Sequence, residues 1–276
     1  MNEVSSRDGT RIGYLRRGTG PGLVLVQGAM GTAHHFTDLA EALAADFTVY
    51  LPDRRGRGMS PRPYDGGHHI ARDVEDLDAL LAATGADRVF GLSSGAMITL
   101  EAARTLPRIT RAAVYGPPFY PDGIDHDSIR RIGTHLDRGR PAGALVTALR
   151  TTGVGPAPLR LLPEPVARLL AAALLAADAR AKNPAPKLRD MLPGIRYDFH
   201  VVGGMDGRMP SLASVGKPVL LLSGTGSPAF LRAAIRDLVR VLPRAEHIEF
   251  TGLDHSGPWN AGRPEIVAAA LRHFFA

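Results

Sequence analysis

The sequence predicts a doubly wound α/β protein, and three observations carry that prediction. Short, almost wholly apolar runs recur along the chain, as strands buried on both faces of a parallel sheet require. Between them lie segments with helical periodicity, and such alternation builds right-handed βαβ units. The alternation then stops for about a hundred residues, from 117 to 216, and resumes afterwards.

The elements follow in order. Residues 3–7 and 11–16 flank Asp8-Gly9, a dipeptide that favours a two-residue hairpin. Leu23–Gln27, Phe47–Leu51, Arg88–Leu92, Ala112–Tyr115, Pro218–Leu222 and Glu246–Phe250 read as strands. Phe36–Ala45, Ile70–Thr84, Ala96–Thr105, Phe230–Leu242 and Pro264–Phe275 read as helices. The stretch without strands is rich in Ala, Leu, Arg and Pro. It is too long for a simple connection and predicts an inserted helical subdomain, residues 117–216, between the core segments 1–116 and 217–276. Pro156, Pro158, Pro163, Pro165, Pro184 and Pro186 divide it into short helices. Its most apolar piece, residues 166–181, carries Arg168, Asp178 and Arg180 and is shorter than a membrane crossing, so it reads as an amphipathic helix.

Composition excludes several classes. In 276 residues there is no cysteine, which removes disulfide frameworks, thiolate metal sites and thiol catalysis. Lys+Arg number 33 against 27 Asp+Glu, a formal charge of +6, which by itself suggests nucleic acid. The basic residues are scattered arginines with three lysines, Lys182, Lys187 and Lys217; no basic stripe interleaved with aromatics and no phosphate-binding G-x-x-x-x-G-K accompanies them. The excess therefore reads as a solvated surface. The first residues contain no apolar signal segment. The expectation is a cytoplasmic, cofactor-independent protein, monomer or homodimer, acting on a small molecule, with no membrane, nucleic-acid or metal partner.

Chemistry concentrates in Gly91-Leu92-Ser93-Ser94-Gly95, a G-x-S-x-G string between a predicted strand and a predicted helix. With 11 serines and 31 glycines, chance supplies roughly 0.14 such strings, so context matters more than the string. A strand–turn–helix setting strains the serine backbone, and glycines two before and two after avoid collisions across the turn. A serine hydroxyl needs an adjacent base to attack. His255, late in the chain, is the candidate; His34/His35 and His68/His69 lack metal-ligand spacing, and most of them read as solvated or hydrogen-bonded surface residues.

Three further motifs make the chain resemble the α/β-hydrolase fold superfamily along essentially its whole length. Gln27-Gly28-Ala29-Met30-Gly31 is similar to that family's H-G-x-x-G loop, with Gln for His. Asp53-Arg54-Arg55-Gly56-Arg57-Gly58-Met59-Ser60 matches its D-x-R-G-x-G-x-S turn, and Gly252-Leu253-Asp254-His255 its G-x-x-H. The resemblance implies that the insertion is a cap over the active site. It also implies a Ser93 nucleophile, a His255 base, and an oxyanion hole made by the backbone amides of Ser94 and Ala29, with Met30 as the alternative donor.

One member of the expected set is missing. The family places its acid after the strand spelled here PVLLLSG, and that position is Ser227. The alternative place, after the preceding strand, is Gly116-Pro117-Pro118. Asp122 and Asp198 remain as candidate acids, the first by bending back and the second by reaching in from the cap; Asp254 is adjacent to His255 in sequence, a poor geometry for orienting it. Met30, Phe36, Met97, Phe119, Tyr120 and Trp259 are candidate pocket residues, which suit a hydrophobic ester or lactone. The resulting expectation is a serine hydrolase for a carboxylic ester or lactone. The vacant acid position keeps a non-hydrolytic enzyme (cyclase, dehydratase, C–C lyase or acyl transferase) in view, and a ligand-binding homologue without chemistry is the remaining alternative.

Overall fold

A computed structural model describes residues 2–182 and 186–276; Pro184, one of the predicted helix breakers, lies outside the described residues. The sheet has eight strands: β1 (Asn2–Ser5), β2 (Arg11–Arg17), β3 (Gly22–Val26), β4 (Thr48–Pro52), β5 (Arg88–Leu92), β6 (Arg111–Tyr115), β7 (Val219–Gly224) and β8 (Ala245–Phe250). Their order is β1-β2-β4-β3-β5-β6-β7-β8. The first two neighbour pairs are antiparallel and the remaining five parallel. Central strands β3 to β7 are almost entirely buried, which explains their continuous apolar spelling. Strand β8 departs from that description. As the edge strand it leaves Glu246–Glu249 exposed.

The hairpin also differs from the predicted two-residue turn. Ser5 pairs with Arg11, so five residues form the loop. Asp8 Oδ1 accepts the Thr10 N–H (3.0 Å) and Oδ2 is held by Arg55 (2.9 Å), which shapes a wider turn than Asp-Gly alone would make.

Helices cover both faces. On one side α1 (Thr37–Leu43) and α11 (Pro264–Phe275) pack a core that includes Phe36, Phe90, Leu271 and Phe275. On the other lie α2 (Ile70–Thr84), α3 (Ser94–Thr105) and α10 (Ala229–Val241), whose core is continuous with the apolar residues of the insertion. That insertion joins β6 to β7 through α4 (His126–Asp137), α5 (Pro141–Thr152), α6 (Ala157–Leu161), α7 (Glu164–Arg180), α8 (Leu188–Met191) and α9 (Ile195–Gly204).

Helix α7 is amphipathic, but its smaller residues face inward. Ala167, Ala171 and Leu175 are buried, whereas Leu169 is 72% exposed and Leu170 and Leu174 are 41% exposed. Ala167 and Ala171 let α7 approach its neighbours closely, while Leu169, Leu170 and Leu174 are left on the outer side. Among the described residues no helix is long and apolar enough to cross a membrane.

Candidate active site

The β5–α3 junction holds Ser93 at φ 56°, ψ −122°, a backbone state that a non-glycine residue keeps only under constraint. The constraint is visible on both sides. The Ser93 N–H donates to Tyr115 O on β6 (2.9 Å), and the Ser93 carbonyl already accepts the Ala96 and Met97 amides of α3. A Cβ on Gly95 would lie 2.5 Å from Gln27 O, and one on Gly28 would lie 2.9 Å from the Ser93 Cβ. Gly95 of the elbow and Gly28 of the 27–31 loop thus let that loop close directly onto the serine. Ser93 itself is half-buried between buried neighbours, so the turn lifts its hydroxyl out of the core.

The loop that presses on Ser93 distinguishes the Ala29 donor from its alternative, Met30. The Met30 N–H is already used, donating to Asp198 Oδ2 at 3.2 Å. Neither the Ala29 nor the Ser94 amide has an acceptor among the described residues. Stabilising an oxyanion takes uncommitted N–H donors, and these two amides are uncommitted.

His255 follows β8 in a loop anchored by Tyr115, whose hydroxyl donates to Asp254 O (2.7 Å). Burial pushes the imidazole pKa down to about 4, with the nearby Asp254 opposing in part. The ring is therefore neutral at neutral pH, the form a general base requires. Its Nδ1 is buried and has no hydrogen-bond partner among the described residues. A Cβ on Gly116 would sit 2.7 Å from that nitrogen, and Gly116 has φ +54°, so residue 116 of the alternative acid place is closed to a side chain. Ser227 is buried against the Tyr115 hydroxyl.

The candidate acids lie elsewhere. Asp122 is exposed and makes no hydrogen bond or ion pair among the described residues. Asp254 turns back to its own loop, accepting from Ser256 N (2.8 Å) and Ser256 Oγ (2.6 Å). Asp198, 1% exposed on α9, is surrounded by the Met30 amide, Arg54 Nη1 (2.5 Å), Arg57 Nη2 (3.1 Å) and Ser94 Oγ (3.2 Å), and makes no hydrogen bond to His255. Two buried guanidiniums compete for its lone pairs more strongly than a neutral imidazole can.

Those arginines belong to a network that the motif reading did not reveal. Arg54 also pairs with Asp73 on α2 (3.2 Å), and Asp73 meets His68 (2.7 Å). Arg55 binds Asp76, one turn along α2, through two nitrogens (2.5 and 2.7 Å). Asp73 and Asp76 were legible as anomalies, since they fall among Ile70, Val74, Leu77, Leu80 and Leu81 on the buried side of α2. Asp53 spans the same turn, accepting Ala33 N (2.6 Å) and Met59 N (2.8 Å), and burial raises its pKa despite those bonds.

Of the expected pocket residues, Phe36 is corrected: it is fully buried under the sheet, 6.0 Å from the Phe90 ring, on the α1–α11 side. Its apolar character serves the core. Met97 and Phe119 are buried on the cap side of the sheet, and Tyr120 stacks on Phe230 at 4.7 Å. Met30 is half-buried and Trp259 packs on His35 (5.0 Å).

This sheet order, with a serine elbow after β5, a histidine loop after β8 and a helical insertion after β6, defines a capped α/β-hydrolase architecture. The alpha/beta hydrolase family model matches residues 23–270, and the chain belongs to that family. It is 28% identical over 274 residues to pimeloyl-[acyl-carrier protein] methyl ester esterase of Stenotrophomonas maltophilia, covering 94% of each chain. It is 27% identical over 269 residues to 2-(acetamidomethylene)succinate hydrolase of Mesorhizobium japonicum, covering 95% of this chain and 91% of that one. Among solved structures, an alpha/beta hydrolase from Sphaerobacter thermophilus superposes with a TM-score of 0.78 at 34% identity over the whole of both chains. The protein is a hydrolase of this family.

The depressed imidazole has a measurable consequence. Activity that needs neutral His255 should hold from pH 8 down to about 5 and fall with a midpoint near 4, well below the usual histidine value of 6.5. A kcat/KM profile with circular dichroism at each pH checks this; a midpoint near 6.5 in folded protein contradicts it. Stability has the same sign. The unfolded chain takes up the histidine proton first, so this group's contribution is complete above 6.5 and is lost as pH falls from 6.5 towards 4.

Proposed function

We propose that the protein hydrolyses a carboxylic ester or lactone of a small hydrophobic molecule through a serine acyl-enzyme. The observation that carries this reading is Ser93, held at φ 56°, ψ −122° with two uncommitted backbone amides, Ala29 and Ser94, next to it. As Ser93 Oγ attacks the carbonyl carbon, its proton passes to His255. The carbonyl oxygen takes up negative charge against the Ala29 and Ser94 N–H groups. Collapse breaks the bond to the leaving oxygen, which receives the proton from His255. Water, deprotonated by the same imidazole, then releases the acid and restores the serine. The similarity to an esterase and a carboxylic-substrate hydrolase supports acyl chemistry.

Incubation of the wild-type protein with a fluorophosphonate probe and with short-chain nitrophenyl esters tests this. Stoichiometric labelling with ester turnover is expected. Failure of both in folded protein overturns it. The orphaned His255 Nδ1 favours one rival, a non-hydrolytic use of the same pocket, because orientation by a carboxylate matters most for rapid proton shuttling. Labelling at Ser93 without turnover of any ester or lactone selects that rival.

A further inference from the structure

Asp198 comes from the cap, yet it touches the two segments that would stabilise an oxyanion. One carboxylate oxygen accepts the Met30 N–H (3.2 Å), 168 positions away in sequence. The other lies 3.2 Å from the Ser94 hydroxyl, the side chain of the residue after the nucleophile. From the core side, Arg54 Nη1 (2.5 Å) and Arg57 Nη2 (3.1 Å) fix the same carboxylate, and Arg54 is itself held by Asp73 and by the Ser94 hydroxyl (2.9 Å). Arg57 continues into the cap, donating to Gly194 O (3.0 Å) just before α9.

Met30 is the other half of the observation. It has φ 55°, and together with Ser93 it is one of two non-glycine residues with positive φ among the described residues. A residue with a long side chain stays in that region only when its surroundings hold it. The surroundings here include a hydrogen bond from its own N–H to a buried carboxylate. That bond takes the Met30 amide out of use as a donor to substrate and fixes the peptide plane that joins it to Ala29, whose own amide is free.

We infer that Asp198 is a positioning residue for the oxyanion hole, a cap-borne latch that sets the 28–31 loop so that the Ala29 amide faces the reacting carbonyl oxygen. The inference rests on the serine-hydrolase reading above. It adds that the oxyanion hole is complete only with α9 seated on the core. Displacement of the cap withdraws the carboxylate from the Met30 amide, the loop relaxes, and the donor is lost. Asp198 touches no reacting atom; it acts through Met30.

Asp198→Asn tests this with little change in volume. Its amide offers a single acceptor oxygen, and its NH2 faces guanidinium and peptide donors. The expected result is a fall in kcat on a nitrophenyl ester of about 10²-fold, the scale of a misplacement of about 1 Å at a reacting centre, with KM within about threefold of wild type. The inhibition constant of phenylboronic acid, which forms a tetrahedral adduct on a serine, should weaken by the same factor as kcat/KM. Amide hydrogen exchange at Met30 reads the latch without catalysis: slow in wild type, and at least about tenfold faster in Asp198→Asn.

A Met30 amide that exchanges in wild type as fast as an unprotected loop overturns the inference, and so does an Asp198→Asn protein with kcat and boronate affinity within twofold of wild type. A rise in KM at constant kcat overturns it as well, by placing Asp198 in the substrate pocket. If Asp198→Asn does not fold, Asp198→Glu keeps the charge and takes its place, and the wild-type exchange rate decides by itself. A wild-type protein without labelling or ester turnover defeats the proposed function, while the exchange comparison still judges the latch.

Discussion

Ser93→Ala is expected to remove fluorophosphonate labelling completely and to lower ester turnover by about 10²-fold, a smaller loss than a complete triad would suffer. In serine proteases dismantled residue by residue, losing the nucleophile costs about 10⁶ in turnover and losing the acid alone about 10⁴. The effects are not additive, because the residues act as a unit. A site whose histidine has no carboxylate has already forgone the larger part, and about 10² remains for the nucleophile to contribute. Alanine leaves the elbow backbone as it is, so the variant should remain folded, with circular dichroism unchanged. Turnover within twofold of wild type, or labelling that persists at another residue, removes Ser93 from the mechanism.

Ser227→Asp carries the opposite sign. It should raise kcat on an activated ester by about 10- to 10³-fold, part of the roughly 10⁴ that the acid is worth in a complete triad. The turn that bears residue 227 packs on the loop that bears the histidine: the Gly226 N–H donates to Leu253 O (2.8 Å), and a Cβ on Gly226 would touch the Asp254 Cβ at 3.5 Å. His255 Nδ1 is buried without a partner among the described residues, so a carboxylate at 227 would give it the hydrogen bond it now lacks. A carboxylate there favours the imidazolium, so the acid limb of the pH profile should move up from about 4 as the rate rises. A faster enzyme whose acid limb stays near 4 would assign the gain to something other than His255. A folded variant with unchanged kcat shows that a side chain at 227 does not reach Nδ1.

Much of the architecture is legible along the chain because it depends on local pattern. Apolar runs of strand length with helical segments between them can hardly form anything but a parallel sheet, and β3 to β7 lie where those runs lie. Edge positions escape such reading. Strand β8 is recognisable as a strand, but it carries Glu246, His247 and Glu249, and only the sheet order makes it the edge strand on which they face solvent. The same holds for α7, where helical periodicity is plain but the choice between burying alanines and burying leucines belongs to the helices packed against it. Phe36 shows the limit for single residues, since an aromatic after the glycine-rich loop reads equally well as pocket or core until the side of the sheet is known.

Local spelling suffices for the motifs of the candidate site: a serine between a strand and a helix, glycines that permit the turn, a late histidine, and no carboxylate after β7. Each depends on a few neighbouring residues, and backbone sterics act at that range. Where the buried charges go depends on long-range packing. Asp198 and Met30 are far apart in sequence, and no spacing rule links them. Burying two arginines beneath the cap demands a carboxylate nearby, and the fold brings Asp198 to that place, away from His255.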